Sequence, residues 1–155
     1  MLYVKQGRFT EARPLLEKAL SPERRSPERE EFFEATVLNN LAEMHLGLRD
    51  LATAETLCAE TLRIRERIGN PEKTGRSYIT MGAVLFEKGE LSGSEAFLKR
   101  AVANREEVYG VNHPELLLPL SRYATLLKAA GRFDEEVRVR ERISEISGRY
   151  FIPST

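Results

Sequence analysis

Three short stretches of the same form recur along this chain at nearly even intervals, and no other feature narrows its fold as far. Ser26-Pro27-Glu28, Asn70-Pro71-Glu72 and His113-Pro114-Glu115 place prolines at 27, 71 and 114, separations of 44 and 43. Each triplet reads as a helix start. A polar side chain caps the first turn, proline presets φ at the first helical position, and a carboxylate sits near the positive end of the helix dipole. A start signal with a fixed period predicts an internal repeat.

A second series sets the register. GRFTEA at 7–12, RDLATA at 49–54, GELSGS at 89–94 and GRFDEE at 131–136 begin 42, 40 and 42 residues apart. Two places on, Phe9, Leu51, Leu91 and Phe133 keep the same spacing. Upstream, LNNLAEMH (38–45), YITMGAVL (78–85) and LSRYATLL (120–127) form a third column. Each unit then reads as two helices. Leu38, Leu41, Ala42 and His45 follow the i, i+3, i+4, i+7 stripe of a half-buried helix, as do Tyr78, Met81, Gly82, Leu85 and Leu120, Tyr123, Ala124, Leu127. Small residues at Ala42, Gly82 and Ala124 face Ala12, Ala54 and Ser94, as expected where two helix axes approach to about 8–10 Å. A bulky residue at Gly82 is expected to wedge its pair apart.

These marks make the chain resemble a tetratricopeptide repeat protein. The small-residue pairs, the residue at the inter-helix turn and the bulky apolar residue after it carry the likeness. The family's usual repeat is about 34 residues; here it is 40 to 42, roughly one turn more per helix, which resembles the kinesin light chain form. LNNLA at 38–42 and YGVNHPEL at 109–116 are close to that pattern. The resemblance implies an all-α, right-handed α-solenoid of antiparallel helix pairs in a single domain over 1–155. Its parts are a partial repeat at 1–21, repeats at 27–69, 71–110 and 114–148, and a tail at 149–155.

Two departures stand out. The first unit shows only its end, and Glu136 and Arg140 occupy positions where the family has small or apolar residues. A terminal unit with a polar outer face and a section of a longer array both remain open, and Tyr150, Phe151 and Ile152 want a surface.

The resemblance also implies where a partner would lie, because the first helices of such units line a concave face. Thr36, Asn39, Asn40 and Glu43 fall there in one unit, Arg76, Ile79, Thr80 and Ala83 in the next, and Leu118, Ser121, Arg122 and Thr125 in the last. Asn39, Asn40, Glu43, Arg76, Thr80, Ser121, Arg122 and Thr125 are the expected partner-binding residues. An asparagine amide can both donate to and accept from a peptide backbone, and arginine pairs with carboxylates through two donors. Asn40 and Arg76 match parts of the carboxylate clamp of some tetratricopeptide domains. Thr80 replaces a basic residue there, so the clamp is incomplete.

Chemistry finds little support. Zinc needs three or four Cys, His or carboxylate ligands, and the soft donors are His45, His113 and Cys58 alone. His45 and Cys58 fall on buried stripes, where packing explains them. His113 beside Glu115 looks like an acid–base pair until its triplet is set beside the other two. Lys73-Thr74-Gly75 matches a fragment of the penicillin-recognising enzymes, but no Ser-x-x-Lys accompanies it, and no phosphate-binding glycine loop is present. No catalytic residue, metal or cofactor is expected.

Lysine and arginine (24) balance aspartate and glutamate (24), which gives no pull toward nucleic acid or anionic membranes. One cysteine and no long apolar stretch at the start suggest a cytoplasmic protein. The leading expectation is a non-catalytic scaffold that holds a peptide or helix of another protein in its groove. The alternative is a structural segment of a longer solenoid, or a subunit that self-associates into homo-oligomers through its open ends.

Overall fold

The cap chemistry read from the sequence is visible at the helix starts. Asn70 accepts a hydrogen bond from the Lys73 amide at 3.0 Å, and Pro71 opens the helix behind it. His113 does the same through Nδ1, which accepts from the Glu115 amide at 3.2 Å. The computed structural model describes residues 27–150; Ser26, the expected partial repeat at 1–21 and tail residues 151–155 lie outside the described residues.

Among the described residues six helices follow one another: α1 (Pro27–Gly47), α2 (Leu51–Ile68), α3 (Pro71–Glu87), α4 (Leu91–Tyr109), α5 (Leu117–Ala129) and α6 (Phe133–Tyr150). A single 3-10 turn, Pro114–Leu116, precedes α5. Pro119 accounts for that tighter start, since it has no N–H to close an α-helical bond onto Glu115. The described residues contain no strand.

The turn within each pair repeats almost atom for atom. Arg49, Gly89 and Gly131 adopt φ of 64°, 82° and 72°. Each following residue donates its amide back to the carbonyl five residues earlier at 2.9 Å: Asp50 to His45, Glu90 to Leu85, Arg132 to Leu127. This is a left-handed helix cap, for which glycine is the natural residue. Among the described residues Arg49 is the one non-glycine with positive φ, at a conformational cost of about 1 kcal/mol. The turn geometry therefore belongs to the repeat rather than to glycine.

Helix pairs pack antiparallel and each stacks on the next. Ala42, Ala54, Cys58, Tyr78, Met81, Val84, Leu85 and Ala101 form one continuous core through the first two pairs. Gly82 sits at the close approach: a methyl group placed there would stand 2.8 Å from Leu98 Cγ. Ser94, opposite, donates its hydroxyl to the Gly82 carbonyl at 2.7 Å. The expected small-residue contact is thus real, and it contains a buried hydrogen bond as well. His45 and Cys58 are buried, as their stripes require. His45 Nδ1 donates to Asp50 at 2.9 Å, and burial pushes the Cys58 thiol up to about 12.

The third pair is built differently. Its core gathers Leu116, Leu120 and Ile146, with Val102, Val139 and Ile143 at the edge. α6 meets α5 along Val139, Ile143 and Ile146, the columns that Leu57, Thr61 and Ile64 hold in α2, while Glu136 and Arg140, in the small-residue column, pair with each other.

One buried cation ties the first two pairs together. Arg65 on α2 is 3% exposed, and its Nη1 donates to the Lys73 carbonyl and to Ser77 Oγ on α3, both at 2.6 Å. Longer contacts of 3.5 Å reach Asn39 Oδ1 and the Ala35 carbonyl on α1. Forty residues on, Arg105 takes the same place in α4 and donates to the Glu72 carbonyl at 2.8 Å.

Candidate partner groove

The first helices α1, α3 and α5 lie side by side and leave a hollow across their common face. Its larger part encloses about 580 Å³ over a floor of Leu46, Ile79, Ala83 and Leu118, with Glu43, Arg76 and Arg122 at the rim. A smaller recess of about 240 Å³ continues it between α3 and α5, reaching down to Gly82, Phe86 and Leu98. Helical spacing explains the pattern, since positions 76, 79, 80 and 83 share one face of α3, as 118, 121, 122 and 125 do on α5.

The structure divides the expected partner-binding residues into two groups. Ser121, Arg122 and Thr125 are exposed along α5, and Leu118 beside them is 55% exposed. Glu43 and Arg76 stand at the rim. Asn39 and Asn40 were expected on the open strip, but they are only 1% and 4% exposed, while Thr80, 5% exposed, lines the hollow beside Ile79 and Ala83. For Asn39, Arg65 provides the reason. Its buried guanidinium needs acceptors, and Asn39 Oδ1 supplies one while also accepting from Ser77 Oγ at 3.2 Å. Asn40 turns inward and donates to the Thr36 carbonyl at 2.5 Å. Thr80 donates to the Arg76 carbonyl at 3.2 Å.

Arg76 does bind a carboxylate, the protein's own. Its Nε and Nη2 donate to the two oxygens of Glu43 at 3.0 and 2.9 Å, and these bonds hold its pKa above the ordinary arginine value. Asn39 Nδ2 donates to the same Glu43 at 2.9 Å. Arg122, by contrast, has no hydrogen-bond or ion-pair partner among the described residues. Groove residues that escaped the sequence reading include Leu46, Phe86 and Tyr109. They lie at helix ends; Leu46 and Phe86 continue the faces of the strip one turn past its last residues.

His113 and Glu115 form no acid–base pair. The Nδ1 lone pair is used by the cap, the ring stacks on Tyr109 at a centroid distance of 4.9 Å, and Glu115 points toward Arg105 at 3.9 Å. Among the described residues no cluster of His, Cys, Asp and Glu could hold a metal ion. No described helix is long and apolar enough to cross a membrane.

Stacked antiparallel pairs with a shared groove define a class of helical repeat protein. Family profiles described as tetratricopeptide repeat match residues 33–107 and 74–147, and another matches 1–21. The chain belongs to the tetratricopeptide repeat family. Such repeats generally mediate contacts between proteins.

Tetratricopeptide repeat protein 19, mitochondrial, of Homo sapiens is 27% identical over 105 residues, which cover 63% of this chain and 27% of that protein. The chain thus spans about a quarter of that relative's length. Two solved structures share the fold, both of the nearly identical TPR-like repeats of a candidate kinesin light chain from Podosopora anserina. One superposes with a TM-score of 0.75 at 18% identity, covering 97% of this chain and 72% of the other. A point variant of that same protein gives 0.72 at 19% identity, covering 95% and 70%. The fold is that of a kinesin light chain-like α-solenoid.

Proposed function

We propose that this protein is a non-catalytic scaffold that holds an extended peptide or a helix of a partner protein across α1, α3 and α5. The observation that supports it most is the hollow itself, whose apolar floor includes the exposed Leu118 beside Arg122, which has no partner among the described residues. An apolar surface next to an unpaired cation offers a partner both desolvation and a charge contact. Glu43, Arg76, Thr80, Ser121, Arg122 and Thr125 form the polar lining of this reading, while Asn39 acts from below by holding Glu43, and Asn40 is spent on its own helix. The mixed charge at the rim suits a protein rather than nucleic acid. The lone, buried Cys58 goes with a cytoplasmic setting, which imaging of a tagged chain tests.

The direct experiment is capture of partners on the immobilised chain, followed by affinity measurement with Leu118→Glu. Leu118 is exposed, so the variant should melt like the wild type yet bind at least about ten-fold more weakly. Unchanged affinity would place the partner elsewhere.

A second reading is self-association through an open end, favoured by Phe133 and Val137, which are 60% and 50% exposed on α6. Light scattering over a concentration series decides it, since a constant monomer mass sinks the idea.

A further inference from the structure

Glu43 leaves α1 and reaches across the seam to α3, where three donors converge on its carboxylate. Arg76 meets it as a fork at 3.0 and 2.9 Å, and Asn39 Nδ2 stands at 2.9 Å. Thr80 Oγ1 lies 3.4 Å from the same carboxylate, but its single proton goes to the Arg76 carbonyl at 3.2 Å. The Asn39 donor is fixed without any help from Glu43. Asn39 is oriented through its oxygen, which Ser77 and Arg65 bind, so its amide nitrogen must face the rim. The donor set therefore has the shape and polarity of a site for one carboxylate, open toward the groove.

We propose that Glu43 is the built-in occupant of a carboxylate-binding site, so that a partner lays no acidic side chain or terminal carboxylate at this point of the groove. What this means for partners rests on the groove reading above; the site itself does not. An incoming carboxylate would have to displace one that is tethered and already bonded through both oxygens. The displaced Glu43 would then face the newcomer's like charge at close range. A neutral or cationic group of the partner leaves the pair intact. Glu43 thus selects partners by exclusion, and removing it exposes the donors.

The test uses the full 155-residue chain and acetate as the probe. The side-chain N–H signals of Arg76 Nε and Asn39 Nδ2 are followed by nuclear magnetic resonance while acetate replaces chloride at constant ionic strength. The wild type should give no saturating response. Glu43→Ala should give one, with an acetate affinity at least about ten-fold above any seen in the wild type. Glu43→Gln preserves side-chain length and helix propensity and supplies a weaker, neutral occupant, so it should respond to a smaller extent. The double variant Glu43→Ala with Arg76→Gln should lose the response.

Equal titration of wild type and Glu43→Ala overturns the proposal. So does a flat response in both single variants while their melting curves show them folded. Either result leaves the groove reading standing if Leu118→Glu still weakens a captured partner. A harmless Leu118→Glu beside a normal acetate response would sink the groove reading alone.

Discussion

Replacing Arg65 with methionine asks whether a buried cation holds the first two helix pairs together. Its two 2.6 Å hydrogen bonds to the Lys73 carbonyl and Ser77 are charge-assisted, and such bonds contribute about 1.5–3 kcal/mol each. Against them stands desolvation, which pushes the guanidinium down to about 10. That depression corresponds to a penalty of roughly 3 kcal/mol on keeping the charge there. No carboxylate lies within ion-pair distance of Arg65 among the described residues, so the neutral acceptors must offset the penalty alone. Methionine removes both terms, restores apolar contact, and leaves the Ala35 and Lys73 carbonyls without this partner. The balance predicts a loss of about 1–3 kcal/mol.

Urea unfolding followed by far-ultraviolet circular dichroism measures it. Because stacked repeats are stabilised by their neighbour interfaces, the transition should also broaden as the first pair uncouples from the second. A double-mutant cycle with Ser77→Ala should return a coupling of about 1 kcal/mol or more. An Arg65→Met chain as stable as the wild type, with an equally steep transition, would refute the reasoning. The network would then be a tolerated burden rather than a tie.

Gly82→Val should lower stability by about 2 kcal/mol, because its branched side chain meets the buried Leu98 and cannot be accommodated without moving α4. Gly148→Ala, where an added methyl meets nothing within 4 Å, should instead raise it by about 1 kcal/mol through helix propensity; thermal melting reads both. Glu95 accepts hydrogen bonds from Lys99, Arg132 and Tyr123, which hold its carboxyl down from 4.5 to about 2. Its folded value lies below its unfolded one, so its contribution is complete above about pH 4.5 and is lost as the pH falls through about 2. The melting-temperature gap between wild type and Glu95→Gln should therefore be full near neutral pH and close in acid; a gap independent of pH would contradict the assignment.

What could be read from the sequence was local punctuation. Asn70-Pro71, His113-Pro114, Gly89 and Gly131 act on the backbone within a few residues of themselves, so their meaning survives without knowledge of the fold. Arg49 was readable only as a member of a column, since nothing intrinsic to arginine asks for positive φ. The burial of Asn39, Asn40 and Thr80 was not readable from their own chemistry, because polar residues off an apolar stripe ordinarily face water. For Asn39 the cause is Arg65. A signal for it existed: Ala54, Cys58, Thr61 and Arg65 follow one buried stripe, and Arg105 repeats the column. A charge recurring at an interior position calls for interior acceptors, and Asn39 of the facing helix supplies one. Likewise Glu136 and Arg140 showed that the last pair must differ, though not that the two would pair with each other.

The Glu43–Arg76 fork also bears on the mechanics of the superhelix. It clasps α1 to α3 on the groove side, whereas no hydrogen bond or ion pair among the described residues joins α3 to α5 across the same face. A stack of this kind bends most easily at the seam with the fewest directional contacts. Curvature should therefore be fixed between the first two units and compliant between the second and third, so that the groove widens or narrows from its α5 side like a jaw with one stationary arm. The exposed Leu118 and the unpaired Arg122 both ride on the moving arm.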